Sequence, residues 1–176
     1  MPLPIAHGLV GASVVALWRP KGLLGRDWRK MLIGAALAIS PDLDFFLPWG
    51  LHLRGWHRGF THSISLALAA TGLMIAVLGI SHLRDALAYG TALLSHGLLD
   101  FLTTQKGGGV ELLWPFSNER LKLGWISFSE FPFGFHVVEV IKASLIEILV
   151  FAPVLVALLL LREYVFTSFR PTRNAI

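Results

Sequence analysis

Nine side chains in this 176-residue chain are of types that can share a cation: His7, Asp42, Asp44, His57, His62, His96, Asp100, His136 and Glu139. His96-Gly-Leu-Leu-Asp100 is an i,i+4 pair, so an imidazole and a carboxylate share one helical face and can reach one ion, with Asp100 free to bridge two. Ser40-Pro-Asp-Leu-Asp44 sets two carboxylates on alternate residues just past a proline. Such a pair repels unless a cation or a proton lies between them. His57-Arg-Gly-Phe-Thr-His-Ser63 carries two imidazoles five residues apart. They cannot share a helical face, so His57 belongs to a loop and His62 to the start of a helix, and they converge from different directions. Arg58 cannot bind a cation but suits a bidentate grip on an anionic oxygen.

Each segment alone has a plainer reading: a His–Asp hydrogen bond that ties helices together, a solvated Pro-Asp turn, a basic helix cap with Thr61 as the capping residue, and a packed histidine at position 7. Together they point to metal. The chain has no cysteine, so disulfides and thiolate sites are excluded, and any ion must sit on imidazole and carboxylate. That donor set suits zinc, manganese, iron or nickel, and two carboxylates with a shared Asp suit a two-metal site that activates water.

The elements that must position these groups follow from composition. Hydrophobic residues make up 55% of the chain and charged residues 15%, against about 25% charged in an ordinary soluble domain. This excludes a disordered chain and argues for one domain, residues 1–176, whose solvent is partly lipid. The net charge of +4 is not spread over enough polar surface for a nucleic-acid stripe, so no nucleic-acid partner is expected. Five apolar stretches read as helices: Met1–Trp18, Met31–Pro41, Ser63–Ser81, Ala86–Leu99 and Ile148–Leu161, the last extending back toward His136 if Glu139, Lys142 and Glu147 face inward. A bilayer core needs roughly 20 helical residues. The second stretch, taken back to Asp27 as N-cap, reaches only about 21 Å and must tuck among the others. The first lacks a basic leader and a small-residue cleavage site, so it is expected to stay as a transmembrane helix. The predicted fold class is all-α, a polytopic bundle of about five transmembrane or membrane-embedded helices.

Charge orients the bundle. Arg19, Lys21, Arg26, Arg29, Lys30, Arg84, Arg162, Arg170 and Arg173 fall on one face, nine of the 15 basic residues. The positive-inside rule puts that face and the carboxyl terminus in the cytoplasm, and the amino terminus outside. All nine candidate groups then gather at the extracytoplasmic end. Only His82 among the histidines is expected on the cytoplasmic side. The long outer segment Thr103–Phe135 holds Lys106-Gly-Gly-Gly109 and an aromatic series (Trp114, Phe116, Trp125, Phe128, Phe131, Phe133, Phe135) that reads as an interfacial belt or a lateral lipid entrance. Glu139, Lys142 and Glu147 are expected to face inward as an ion-paired set.

His7, Ser40–Asp44, His57–Ser63, Ser95–Asp100 and Leu113-Trp-Pro-Phe-Ser117 together resemble the YdjM-type family of predicted membrane-bound metal-dependent hydrolases. The likeness runs from about residue 5 to 165, and the H-R-G-x-T-H-S block is its most specific element. That family is in turn similar to zinc-dependent phospholipases C and single-strand nucleases, whose His-x-x-x-Asp pair His96 and Asp100 match. Glu139 follows His136 one residue too early for their second pair, which leaves both as candidates for the outer shell of the site. The resemblance implies a hydrolase with two divalent ions, zinc first and manganese second, bound by His7, Asp42, Asp44, His57, His62, His96 and Asp100. Asp42 or Asp44 would accept the proton and Arg58 would hold a phosphoryl oxygen. At headgroup depth the expected substrate is a lipid or lipid-linked phosphoester. The alternative is a metal-ion or small-solute transporter that uses the same cluster as its cation site.

Overall fold

A computed structural model describes residues 2–18, 28–46, 57–105, 108–125 and 137–168. Among them are five α-helices: α1 (Pro4–Leu17), α2 (Trp28–Ile39), α3 (Ile64–Leu78), α4 (Leu83–Thr103) and α5 (Val137–Ser168). Short 3₁₀ turns at Ser40–Phe45, Phe60–His62 and Ile80–His82 join them or lead into them. There is no strand among the described residues, only an isolated antiparallel bridge between Val110 and Leu121. The fold is all-α, as its apolar patterning implies.

Local chemistry sets the ends. Pro4 occupies the first turn of α1, where a missing N–H costs nothing. Pro41 cannot continue α2, and the chain tightens into the 3₁₀ turn that carries both aspartates. Ser63, not Thr61, caps α3: its hydroxyl accepts from the Leu66 amide at 3.1 Å. Gly79, with φ +81°, closes α3 in a backbone region that favours glycine.

Helix α1 packs on α2, α4 and α5, and α3 packs on α4. Val15, Ala88, Tyr89 and Ala92 form the buried centre, flanked by Val14, Met31, Leu37 and Met74. Small residues let α1 and α2 approach closely: a Cβ at Gly11 would strike the Gly34 carbonyl. The amino ends of α1 and α3 and the carboxyl ends of α2 and α4 lie together at one end of the bundle. At the other end Lys30 Nζ meets Asp85 Oδ2 at 2.7 Å and Arg84 hydrogen-bonds the Trp18 carbonyl.

One described helix is long and apolar enough to cross a bilayer, over Val137–Val165 of α5. Helices α1 and α3 are apolar but have 14 and 15 residues, and α4 spans 21 residues with Arg84, Asp85 and Asp100 along it. The carboxyl-terminal helix starts at Val137, well before the Ile148 at which its charge-free part begins. Its expected inward triad does not form. Glu139 and Lys142 are exposed, and only Glu147 is buried. The reason is angular: at 100° per residue, Lys142 and Glu147 sit about 140° apart around the helix, too wide for one buried stripe. Glu147 caps α1 instead, accepting the Leu3 amide and the Ala6 amide, the latter at 3.0 Å.

Candidate metal centre

Four elements deliver the cluster. The first turn of α1 brings His7, the 3₁₀ turn after α2 brings Asp42 and Asp44, the segment before α3 brings His57, Arg58 and His62, and the last turns of α4 bring His96 and Asp100. Asp42, His62, His96 and Asp100 each offer a donor atom within 4.8 Å of all the others. His62 and His96 face each other through Nε2 at 2.9 Å. Asp42 Oδ1 lies 3.5 Å from His96 Nε2 and 3.8 Å from His62 Nε2, and Asp100 Oδ2 lies 3.6 Å from His62 Nε2. His7 stacks on His96 with ring centroids 3.9 Å apart, and its Nε2 is 3.4 Å from Asp100 Oδ1.

The tautomers follow from the partners. His96 Nδ1 lies 2.6 Å from the Ala38 carbonyl. A carbonyl only accepts, so Nδ1 carries the proton and the neutral ring turns its Nε2 lone pair into the cluster. His62 is held from behind, with Nδ1 2.9 Å from the Thr61 hydroxyl and 3.5 Å from Asp44 Oδ2. Its Nε2 therefore also points at the cluster.

The two aspartates play different parts. Both oxygens of Asp42 are buried with no hydrogen-bond partner among the described residues. Asp44 is occupied by its neighbours: His57 Nδ1 at 2.7 Å, the Arg58 amide at 3.0 Å and the Thr61 hydroxyl. Arg58 is the one non-glycine residue with positive φ among those described, at 62°, and this bend aims its amide at Asp44 while Nε lies 3.7 Å from Asp100 Oδ2. Gly97 allows the closest approach. A Cβ there would meet the His62 carbonyl, so glycine lets α4 lie against the Phe60–His62 turn.

Electrostatics follow the same division. Burial works against the Asp44 carboxylate, but hydrogen bonds from His57, His62 and Thr61 outweigh it and hold its pKa well below the usual range. Burial likewise works against the His62 imidazolium. The carboxylates of Asp42, Asp44 and Asp100 overcome it and raise the pKa to about 9.

A divalent cation fits this arrangement. Both oxygens of Asp42, both of Asp100 and both ring nitrogens of His7 are buried without a hydrogen-bond partner among the described residues. Buried carboxylates and imidazoles left in that state are costly unless a cation or water answers them. His7, His62, His96 and Asp100 are each at most 2% exposed. All seven residues singled out as ligands thus come to one end of the bundle. Asp42, His62, His96 and Asp100 form its centre, His7 flanks Asp100, and Asp44 with His57 stands behind His62.

Thr61 and the Ala38 carbonyl were not foreseen as parts of the site. Thr61 lies inside the dense His57–Ser63 block, whereas a carbonyl leaves no mark in a sequence. Glu139 is exposed on the first turn of α5. His136, Lys106, Phe128, Phe131, Phe133 and Phe135 lie outside the described residues. The described part of the outer segment is pinned to the site, since the Glu111 amide donates to the Arg58 carbonyl at 3.1 Å and the Ile64 amide to the Leu112 carbonyl at 3.0 Å. Phe116 and Trp125 project from it, 90% and 77% exposed.

Comparison with known proteins supplies the wider context. The family described as YdjM inner membrane protein matches residues 1–170. Over 115 residues the chain is 37% identical to a protein of Escherichia coli (strain K12) named Inner membrane protein YbcI, a match that covers 60% of this chain and 65% of that protein. The chain therefore spans just under two thirds of that relative. No solved structure matches it.

Proposed function

The chain belongs to the YdjM inner membrane protein family, and from that premise we propose that it is a membrane-embedded metal-dependent hydrolase of lipid or lipid-linked phosphoesters. The observation that carries this reading is the convergence of Asp42, His62, His96 and Asp100 within 4.8 Å. These four would hold one ion. His7 beside Asp100 would offer a donor to a second ion, with zinc expected in the first instance and manganese in the second. Bound there, a divalent ion lowers the pKa of water toward neutrality and offsets charge on the group attacked.

The protein's own residues do the rest. The Arg58 guanidinium beside Asp100 takes an anionic oxygen of the substrate as negative charge builds on it. The Asp44 carboxylate fixes the orientation of His62 and His57 and steadies whichever imidazole carries a proton. The five helices lie in the bilayer, α5 crossing it fully, with the amino terminus and the cluster outside and the carboxyl terminus in the cytoplasm. Lys30 and Arg84 at the opposite end of the bundle support that orientation. Exposed Phe116 and Trp125 suit an aromatic contact with the interface on the cluster's side. A transport path would need further ionisable groups along the bundle, whereas α1 and α3 hold none beyond His7.

The test is turnover by protein purified in detergent with zinc or manganese, on phospholipids and lipid-linked phosphates, compared with His62→Ala and Asp100→Ala. Loss of phosphate release in both variants supports the reading, and unchanged release removes it. Zinc or manganese flux into liposomes, abolished by His96→Ala, would favour transport instead.

A further inference from the structure

Residues of α1, α2 and α5 line an apolar groove of about 470 Å³. Its walls include Pro4, Gly8 and Ala12 of α1, Ala35 and Ile39 of α2, and Leu155 of α5, and Trp28 stands toward its far end. The volume is that of an ordinary ligand site, yet the lining offers no charged side chain to orient a polar molecule.

The two ends of the groove differ. Pro4 and Ile39 belong to the cluster's end of the bundle. His7 adjoins Gly8 on α1, Ala38 adjoins Ile39 on α2 and carries the carbonyl that holds His96, and Asp42 follows three residues beyond Ile39. From there the groove follows α1 to Ala12 and α2 back to Trp28, a run of about 12 Å along α1 at 1.5 Å per residue. It runs along the helices from the end of the bundle that carries the polar site. A lipid in a bilayer has this layout, with a polar head at the surface and a chain along the membrane normal. Gly8 keeps the upper part open but narrow, since a Cβ there would sit 3.1 Å from Ile39 Cδ1.

We propose that this groove binds one acyl chain of a membrane phospholipid whose phosphate lies at Arg58 and the His/Asp cluster. The inference rests on the hydrolase reading for the fate of the headgroup, but docking of the chain is separable from chemistry. Arg58 supplies the charge complement for an anionic head. The straight, small-residue wall of Gly8, Ala12 and Ala35 suits an unbranched chain. Burial of apolar surface then drives binding, and chain length becomes part of substrate selection.

The experiment uses the full chain in nanodiscs doped with a phosphatidylglycerol that bears a diazirine near the end of one acyl chain. After irradiation, cross-links are mapped by peptide mass spectrometry. The expected result is labelling concentrated at Ala12, Met31 and Ala35, and movement of the label to Pro4, Ile5 and Ile39 when the diazirine sits near the glycerol. Gly8→Leu, which fills the groove, should lower this labelling at least fivefold and leave labelling on the exposed face of α5 unchanged. Asp42→Asn should keep the groove labelled even though the cluster is crippled. A failed hydrolase assay with an intact cross-link pattern therefore sinks the catalytic reading alone. Uniform labelling over α5 and the groove overturns the proposal. So does preferential labelling by a diazirine isoprenyl phosphate, or insensitivity to Gly8→Leu in protein whose thermal unfolding remains cooperative.

Discussion

His62 and His96 present their Nε2 atoms to each other at 2.9 Å. Because the Ala38 carbonyl holds the proton of His96 on Nδ1, the hydrogen between the two rings belongs to His62. A metal ion that enters must take the place of this hydrogen, and the surrounding carboxylates set how hard it is to remove.

Metal uptake should therefore depend on pH. With the His62 pKa raised to about 9, each pH unit below that value should weaken the apparent affinity for zinc about tenfold, with release of one proton per ion from this residue. Chelator competition between pH 6 and 9 measures it. The metal-free protein should show the opposite trend in stability. A raised pKa contributes stability fully below the unfolded value near 6.5 and loses it as pH climbs through 9. Thermal unfolding of metal-free protein, which should fall over that window, checks the sign.

Removal of central donors should abolish tight binding. Asp42→Ala and His96→Ala are each expected to weaken zinc affinity by more than about 100-fold, beyond the 10–100-fold typical of outer partners. Elemental analysis after dialysis reads the result. Metal retained at the wild-type level in both variants would rule out the four-residue site.

Asp44 should behave differently from Asp42, two residues away. Its oxygens are held by His57, the Arg58 amide and Thr61, so Asp44→Asn should lower zinc affinity only about 10–100-fold. The same change should bring the His62 pKa down, which titration of its ring resonances by NMR in metal-free protein would register. An Asp44→Asn defect as deep as that of Asp42→Asn would place Asp44 among the direct ligands.

Gly97→Ala and Gly72→Ala form a contrasting pair on neighbouring helices. A methyl at position 97 meets the His62 carbonyl, whereas one at position 72 meets nothing within 4 Å. The first should cost about 1–3 kcal/mol and reduce metal occupancy. The second should be neutral or stabilise α3 by about 0.5–1 kcal/mol. Unfolding in detergent followed by circular dichroism compares them.

Loss of Glu147 should be felt at α1. Two buried amides, of Leu3 and Ala6, donate to it, and Glu147→Ala leaves both without an acceptor at about 1–3 kcal/mol each. Glu147→Gln keeps an acceptor and should recover part of that loss.

Much of the site was legible because its residues are expensive to bury. His7, Asp42, His62, His96 and Asp100 stand out against apolar surroundings, and the i,i+4 and i,i+5 spacings already divided them among faces and directions. The distinct parts of Asp42 and Asp44 were not legible, since their difference is made by Thr61 and by the left-handed turn at Arg58, which no spacing rule anticipates. Glu147 was misread for a related reason. As one acid in an apolar run it invites an ion-pair partner on its own helix, while it accepts from backbone amides 144 and 141 residues earlier. Helices could be located to within a turn in most places, and the extension of the fifth back toward His136 agrees with the start of α5 at Val137, although Glu139 and Lys142 do not face inward as that extension assumed.

The clasp between Glu147 and the first turn of α1 also imposes an order of assembly. During synthesis α1 emerges before α5, so the amides at its amino end, and with them the seat of His7, await a carboxylate 141 to 144 residues later in the chain. The seat of His7 is thus complete only once α5 has docked against α1, so a chain that has made α1 to α4 alone cannot yet carry the finished cluster.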